Sequence, residues 1–116
     1  MKTAPELTVA QVAGELGLKP LAEATGDRLV TGAIVSDLLS YVMAKAAAGQ
    51  VWVTVQGHAN VVAVAALAGL AAVVIAAGFE PEDETRDRAL EEGIPLFVSE
   101  ESAFALAGKL YALGLR

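Results

Sequence analysis

The chain has no cysteine and a single histidine in 116 residues. It is therefore neither a disulfide scaffold nor a cysteine enzyme, and a zinc site would lack the converging thiolates or imidazoles it needs. Basic residues are also sparse, with eight Lys and Arg against fourteen Asp and Glu and a net charge of −6. A nucleic-acid module needs a basic stripe to displace counterions from phosphates, so that class is excluded as well. No G-x-x-x-x-G-K-[ST] or G-x-G-x-x-G occurs, which removes the loops that cradle nucleotide phosphates. The first fourteen residues include Lys2, Pro5 and Glu6 and hold no continuous apolar stretch, so they do not read as a secretory leader. A cytoplasmic protein is expected.

What the chain does have is aliphatic side chain, at 55% hydrophobic overall, enough for one domain with one core. Val61 to Phe79 carries no polar side chain over 19 residues, the length that flags a membrane helix. Ten of those 19 are Ala or Gly, and Lys45 and Arg86 stand too far away to anchor the ends. Gly69 divides the run into an Ala-rich buried helix, Asn60 to Ala68, and a buried strand, Ala72 to Ala76.

The remaining elements follow from caps and periodicity. Thr8 with Gln11 forms a capping box for a helix that runs to Leu16 and stops at Gly17. Lys19 to Ala24 and Arg28 to Val35 read as extended segments around a turn at Thr25-Gly26-Asp27, suited to pair as a hairpin. Ser36 caps a second helix, with Asp37 in its first turn and Leu38, Leu39, Val42, Met43 and Ala46 at helical spacing, ending at Gly49. Val51 to Val55 then opens a strand and helix alternation that implies parallel strands. Pro81 opens a polar helix, Glu82 to Glu92, with Glu82 and Arg86, and Glu84 and Arg88, at i,i+4. Pro95 to Val98 is the last strand, and Ser99 caps a final helix with Phe104, Ala107, Leu110 and Tyr111 on one face. The fold class is a layered α/β sandwich with a mostly parallel central sheet of four to five strands.

Two polar clusters stand out. Gln56-Gly57-His58-Ala59-Asn60 lies at the carboxyl end of a parallel strand and the start of a helix, where open α/β sheets bind ligands and free N–H groups attract anions. The plainer reading is that His58 or Asn60 caps the helix and Gly57 makes the turn. Asp27, Arg28, Thr31 and Gly32 form either a functional rim or an Asp27–Arg28 ion pair beside a close backbone approach. Ser36, Asp37 and His58 supply the residue types of a hydrolase triad, but not its arrangement, since Asp37 follows the serine directly. The acidic helix is a charge-laced face of the kind that is usually solvated, and it would otherwise dock a basic partner.

Asp27-Arg28-Leu29-Val30-Thr31-Gly32-Ala33, continued by Ile34-Val35-Ser36-Asp37-Leu38-Leu39-Ser40, resembles the signature of the DRTGG domain. Val51 to Ala65, Gly93-Ile94-Pro95-Leu96 and Ala107-Gly108-Lys109-Leu110-Tyr111 extend the resemblance over nearly the whole chain. Ala33 stands where the motif has its second glycine. The resemblance implies an α/β domain similar to the N-terminal domain of HPr kinase/phosphorylase, without that enzyme's catalytic domain. DRTGG domains occur alone, in some phosphate acetyltransferases, and beside nucleotide-sensing CBS domains in pyrophosphatases, where they lie at a subunit interface. The expectation is a non-catalytic regulatory and dimerisation module with no cofactor and no metal. A ligand would be an adenine nucleotide or other phosphate-type anion, held by Gln56, Gly57, His58 and Asn60 with Thr31 and Gly32 opposite. The alternative is an interaction scaffold within a metabolic enzyme assembly that binds nothing small. A homodimer is expected, because the helices after Ser36 and after Asn60 carry more apolar surface than a thin sandwich hides.

Overall fold

The structure, a computed structural model, describes residues 6–23 and 26–116. Its elements run β1 (Leu7–Thr8), α1 (Val9–Leu16), β2 (Lys19–Ala22), β3 (Leu29–Val30), β4 (Gly32–Val35), α2 (Leu39–Lys45), β5 (Gln50–Thr54), α3 (Asn60–Ala68), β6 (Ala72–Ile75), α4 (Asp83–Glu92), β7 (Leu96–Val98) and α5 (Ala103–Ala112). Strands β4, β5, β6 and β7 are parallel and sit side by side in chain order, and β2 joins antiparallel beside β7. A parallel strand pair needs a crossover, and its right-handed preference puts α2, α3 and α4 on one face.

The period of two along β5 separates the two cores. Trp52 points to the face where Val42, Val61, Val62, Ala65 and Ala89 pack from α2, α3 and α4. Val51 and Val53 point to the other face, against Val9, Val12 and Leu16 of α1 and Leu106 and Leu110 of α5. The result is three layers, helices over a five-stranded, mostly parallel sheet over helices, as the alternation of segments implied. The long apolar run breaks at Gly69, which ends α3 in the left-handed conformation (φ 70°) and sends the chain into β6. No helix among the described residues is long and apolar enough to cross a membrane.

The capping box of α1 forms as expected, with Gln11 N–H on Thr8 Oγ1 at 3.1 Å and Thr8 N–H on Gln11 Oε1 at 2.9 Å. Several expectations are corrected. The hairpin does not form: β2 pairs with β7 (Lys19 opposite Val98) and β3 pairs with β1. Residue 24, the end of the first expected segment, and residue 25 of the expected turn lie outside the described residues. Ser36 does not cap α2, which begins three residues later. Asp37 Oδ1 accepts from Thr54 Oγ1 (2.9 Å) and Val55 N–H (2.8 Å), which pins the segment to the end of β5, and Ser36 Oγ accepts only from Leu38 N–H. The helix also stops at Lys45, short of Gly49.

Ser102, not Ser99, caps α5, with Ala105 N–H on its Oγ at 3.1 Å. The Ser99 and Glu101 carbonyls accept from Gly78 and Ala77 N–H, which ties that stretch to the turn after β6. The phase of α5 shifts with its start: Leu106 and Leu110 are buried, while Phe104 is 90% exposed and Tyr111 is also exposed. The i,i+4 pairs of α4 do not close. Among the described residues the one ion pair is Lys109 with Glu101, Nζ to Oε1 at 2.7 Å.

Candidate functional site

The carboxyl end of β5 carries Gln56, Gly57, His58 and Asn60, as the sequence implied, and several of its donors are used within the chain. Asn60 N–H donates to His58 Nδ1 at 3.0 Å, Val61 N–H to the His58 carbonyl at 3.0 Å, and Val62 N–H to the Ala59 carbonyl at 3.0 Å. The N–H groups of the first turn of α3 are thus capped from within the chain, by His58 more than by Asn60. Gln56 Nε2 donates to the Asp37 carbonyl at 3.3 Å. Gly57 is held against the loop ahead of α4. A methyl group there would lie 2.9 Å from Pro81 Cα and 3.2 Å from the Glu80 carbonyl. Its own carbonyl accepts from Glu82 N–H (3.1 Å) and from the buried Thr85 hydroxyl.

The strand order gives this end no switch point. Open α/β sheets form a binding crevice where strand order reverses and neighbouring loops part to opposite faces. Here β4 to β7 run in unbroken order, with their three crossover helices on one face. The loops after β4, β5 and β6 fold onto one another, and Asp37, Thr54, Gly57 and Thr85 are the polar groups that join them. Thr54 and Thr85 were missed by the sequence reading. Their signal was a lone hydroxyl in an apolar strand and the one uncharged polar residue of a charged helix.

Thr31 and Gly32 do not stand opposite this loop. Gly32 pairs with Gln50 at the amino end of the sheet, so roughly 20 Å of strand separates it from Gln56. The Asp27–Arg28 ion pair is likewise not the arrangement adopted. Arg28 donates from Nη2 to the Gly69 carbonyl at 2.6 Å and from Nη1 to the Leu70 carbonyl at 3.3 Å, a cation on the carbonyls just past the carboxyl end of α3. Thr31 Oγ1 donates to the Ala48 carbonyl at 2.9 Å, and Thr31 N–H to the Gly49 carbonyl at 2.9 Å. Gly32 passes close to the Arg116 carbonyl, 3.3 Å from where a Cβ would sit. Arg28, Thr31 and Gly32 therefore form a structural junction that ties the chain entering β4 to the segments that follow α2 and α3. Ser36 Oγ, Asp37 Oδ1 and His58 Nδ1 each hold a different backbone or hydroxyl partner, so no triad assembles.

Three hollows lie elsewhere. A groove of about 590 Å³ between α1 and the β2–β7 edge has walls from Val9, Ala13, Leu18, Pro20 and Phe97, with Glu23 as its one charged side chain. A phosphate would find no cation there. A hollow of about 390 Å³ contains Arg28, whose guanidinium is committed to carbonyls. The third, about 240 Å³, sets Lys19 among Glu80, Glu100 and Glu101. No group of three or more His, Asp or Glu converges as a metal site among the described residues.

Among the described residues, large apolar side chains in solvent include Leu29, Leu67, Phe79 and Leu90 as well as a set on the elements at the β4 end of the sheet. β4 is the edge strand there, flanked by α2 on one face and α5 on the other. Val35 of β4, Leu38 just before α2, Tyr41 and Met43 of α2, and Phe104 and Tyr111 of α5 are exposed. The second apolar helix contributes less than its sequence implied: Val61, Val62, Val64 and Ala65 of α3 are buried, leaving Leu67 outside.

No family model matches the chain, and no curated protein does. A solved structure is similar: the CBS and DRTGG domains of the regulatory region of Clostridium perfringens pyrophosphatase, complexed with its activator diadenosine tetraphosphate. The likeness has a TM-score of 0.72 at 14% identity and covers 90% of this chain and 45% of that one. At that identity it shows a shared fold.

Proposed function

We propose that this chain is a non-catalytic regulatory module whose working surface is a self-association face around β4. The observation that carries this reading is the placement of Leu38, Met43, Phe104 and Tyr111 in solvent on the two helices that flank one sheet edge. Solvent-exposed aromatic and long apolar side chains gathered in one region mark an interaction surface. The similar fold belongs to a regulatory region, which supports a role in regulation rather than chemistry.

Nucleotide sensing is the second reading, favoured by the adenine nucleotide bound in that regulatory region. Within this chain the capped α3 terminus and the committed Arg28 argue against it, and the weight falls on association. Sedimentation equilibrium of the purified chain tests the first reading: a mass of twice 11.9 kDa is expected. A monomer at all micromolar concentrations overturns it. A thermal-shift panel of adenine nucleotides, phosphate and pyrophosphate tests the second. A ligand at about 100 times its Kd adds about 2.7 kcal/mol, a shift of several degrees. A saturable rise abolished by His58→Ala or Asn60→Ala would restore the sensor; a flat panel is expected.

A further inference from the structure

The two edges of the sheet are built differently. β2, at one edge, carries Lys19 and Pro20 and an irregular register against β7 between Pro20 and Ala22. Charge, proline and a bulge are the devices that stop an edge strand from pairing with another chain. β4, at the other edge, has the sequence Gly32-Ala33-Ile34-Val35 in unbroken register with β5. It has no charge, no proline and no bulge. The Ser36 N–H donates to the Val53 carbonyl, and the alternation of a parallel ladder then directs residues 32 and 34 toward β5. Ala33 and Val35 present their N–H and C=O groups outward.

Charge selects what covers this edge. α2, β4 and α5 contain no acidic residue, and their charged side chains are Lys45 and Lys109. Asp37, between β4 and α2, has its carboxylate on Thr54 and Val55. In a chain of net charge −6 these three elements carry no carboxylate of their own, and Glu101 beside α5 is paired with Lys109.

Building on the self-association reading, we propose that two copies pair β4 with β4 antiparallel about a two-fold axis at Ile34, making one continuous ten-stranded sheet. Ala33 of each copy then exchanges both backbone hydrogen bonds with Val35 of the other, and Ile34 faces Ile34 as the non-hydrogen-bonded pair. α2 packs beside its symmetry mate on one face, and α5 does so on the other. This symmetric closure leaves the protected β2 strands at both ends of the combined sheet.

The absence of cysteine makes the test clean. In a non-hydrogen-bonded antiparallel pair the Cα atoms stand about 4.5 Å apart, within the range a disulfide spans. Ile34→Cys should therefore oxidise to a covalent dimer at least about tenfold faster than Leu67→Cys, whose site on α3 lies away from the edge. Val35→Pro removes an outward N–H from each copy and leaves the β5 ladder intact, so it should keep its cooperative melt while association weakens roughly ten- to a hundredfold. A wild-type monomer overturns the association reading itself. A wild-type dimer in which Ile34→Cys links no faster than the control and Val35→Pro still dimerises overturns the edge pairing alone.

Discussion

Asp37 shows how one carboxylate can hold a loop in place. Its Oδ1 accepts from the Thr54 hydroxyl and from Val55 N–H, and Thr54 is fully buried. Asp37→Ala leaves that hydroxyl and N–H without their acceptor, at a cost of about 1–3 kcal/mol. A fall of roughly 5–15 °C in the thermal midpoint is expected by calorimetry. Gly57 is held more tightly still, since the added methyl of Gly57→Ala meets backbone at Pro81 and not a movable side-chain end. A loss of about 1–3 kcal/mol in urea unfolding is expected. A midpoint unchanged by Gly57→Ala would show that the loop yields, and would reopen it as a place for a ligand.

At the scale of elements, α5 is the place where periodicity and structure part. Leu106 is fully buried and Phe104 almost fully exposed, two residues apart on one helix. Leu106→Ala should cost about 2–5 kcal/mol. Phe104→Ala should stay within about 0.5 kcal/mol of wild type in the monomer. Denaturant titration of both variants separates the two phases of the helix, and equal losses would contradict the observed one. The sequence pattern was sufficient for the parallel strands and for α1, α3 and α4, because β-branched runs, the Thr8–Gln11 box and the glycines at 17, 69 and 93 are local signals. It misplaced the starts of α2 and α5, because Ser36 and Ser99 are good caps whose neighbours were drawn into longer-range bonds. The sequence placed Gln56 to Asn60 at a strand's carboxyl end correctly. It could not show that the parallel strands run in unbroken order there, because strand order is a property of pairing between distant segments.

At the scale of the whole molecule, two chains of net charge −6 repel one another at long range. If apolar side chains and strand backbone hold them together, salt should tighten the dimer by screening that repulsion. Sedimentation at low and high NaCl is expected to show a Kd several-fold lower at high salt, whereas a Kd that rises with salt would mean the copies are joined by ion pairs. The pairing of β2 with β7 has a different kind of consequence. Lys19 meets Val98, so during synthesis the β2 segment leaves the ribosome roughly 80 residues before its partner does, on the order of 4–16 s at 5–20 residues per second. Meanwhile β4, β5 and β6 acquire their neighbours one after another. The strand with the longest wait is thus the one carrying Lys19 and Pro20, so its resistance to wrong partners operates first on the nascent chain, before the sheet has any edge to protect.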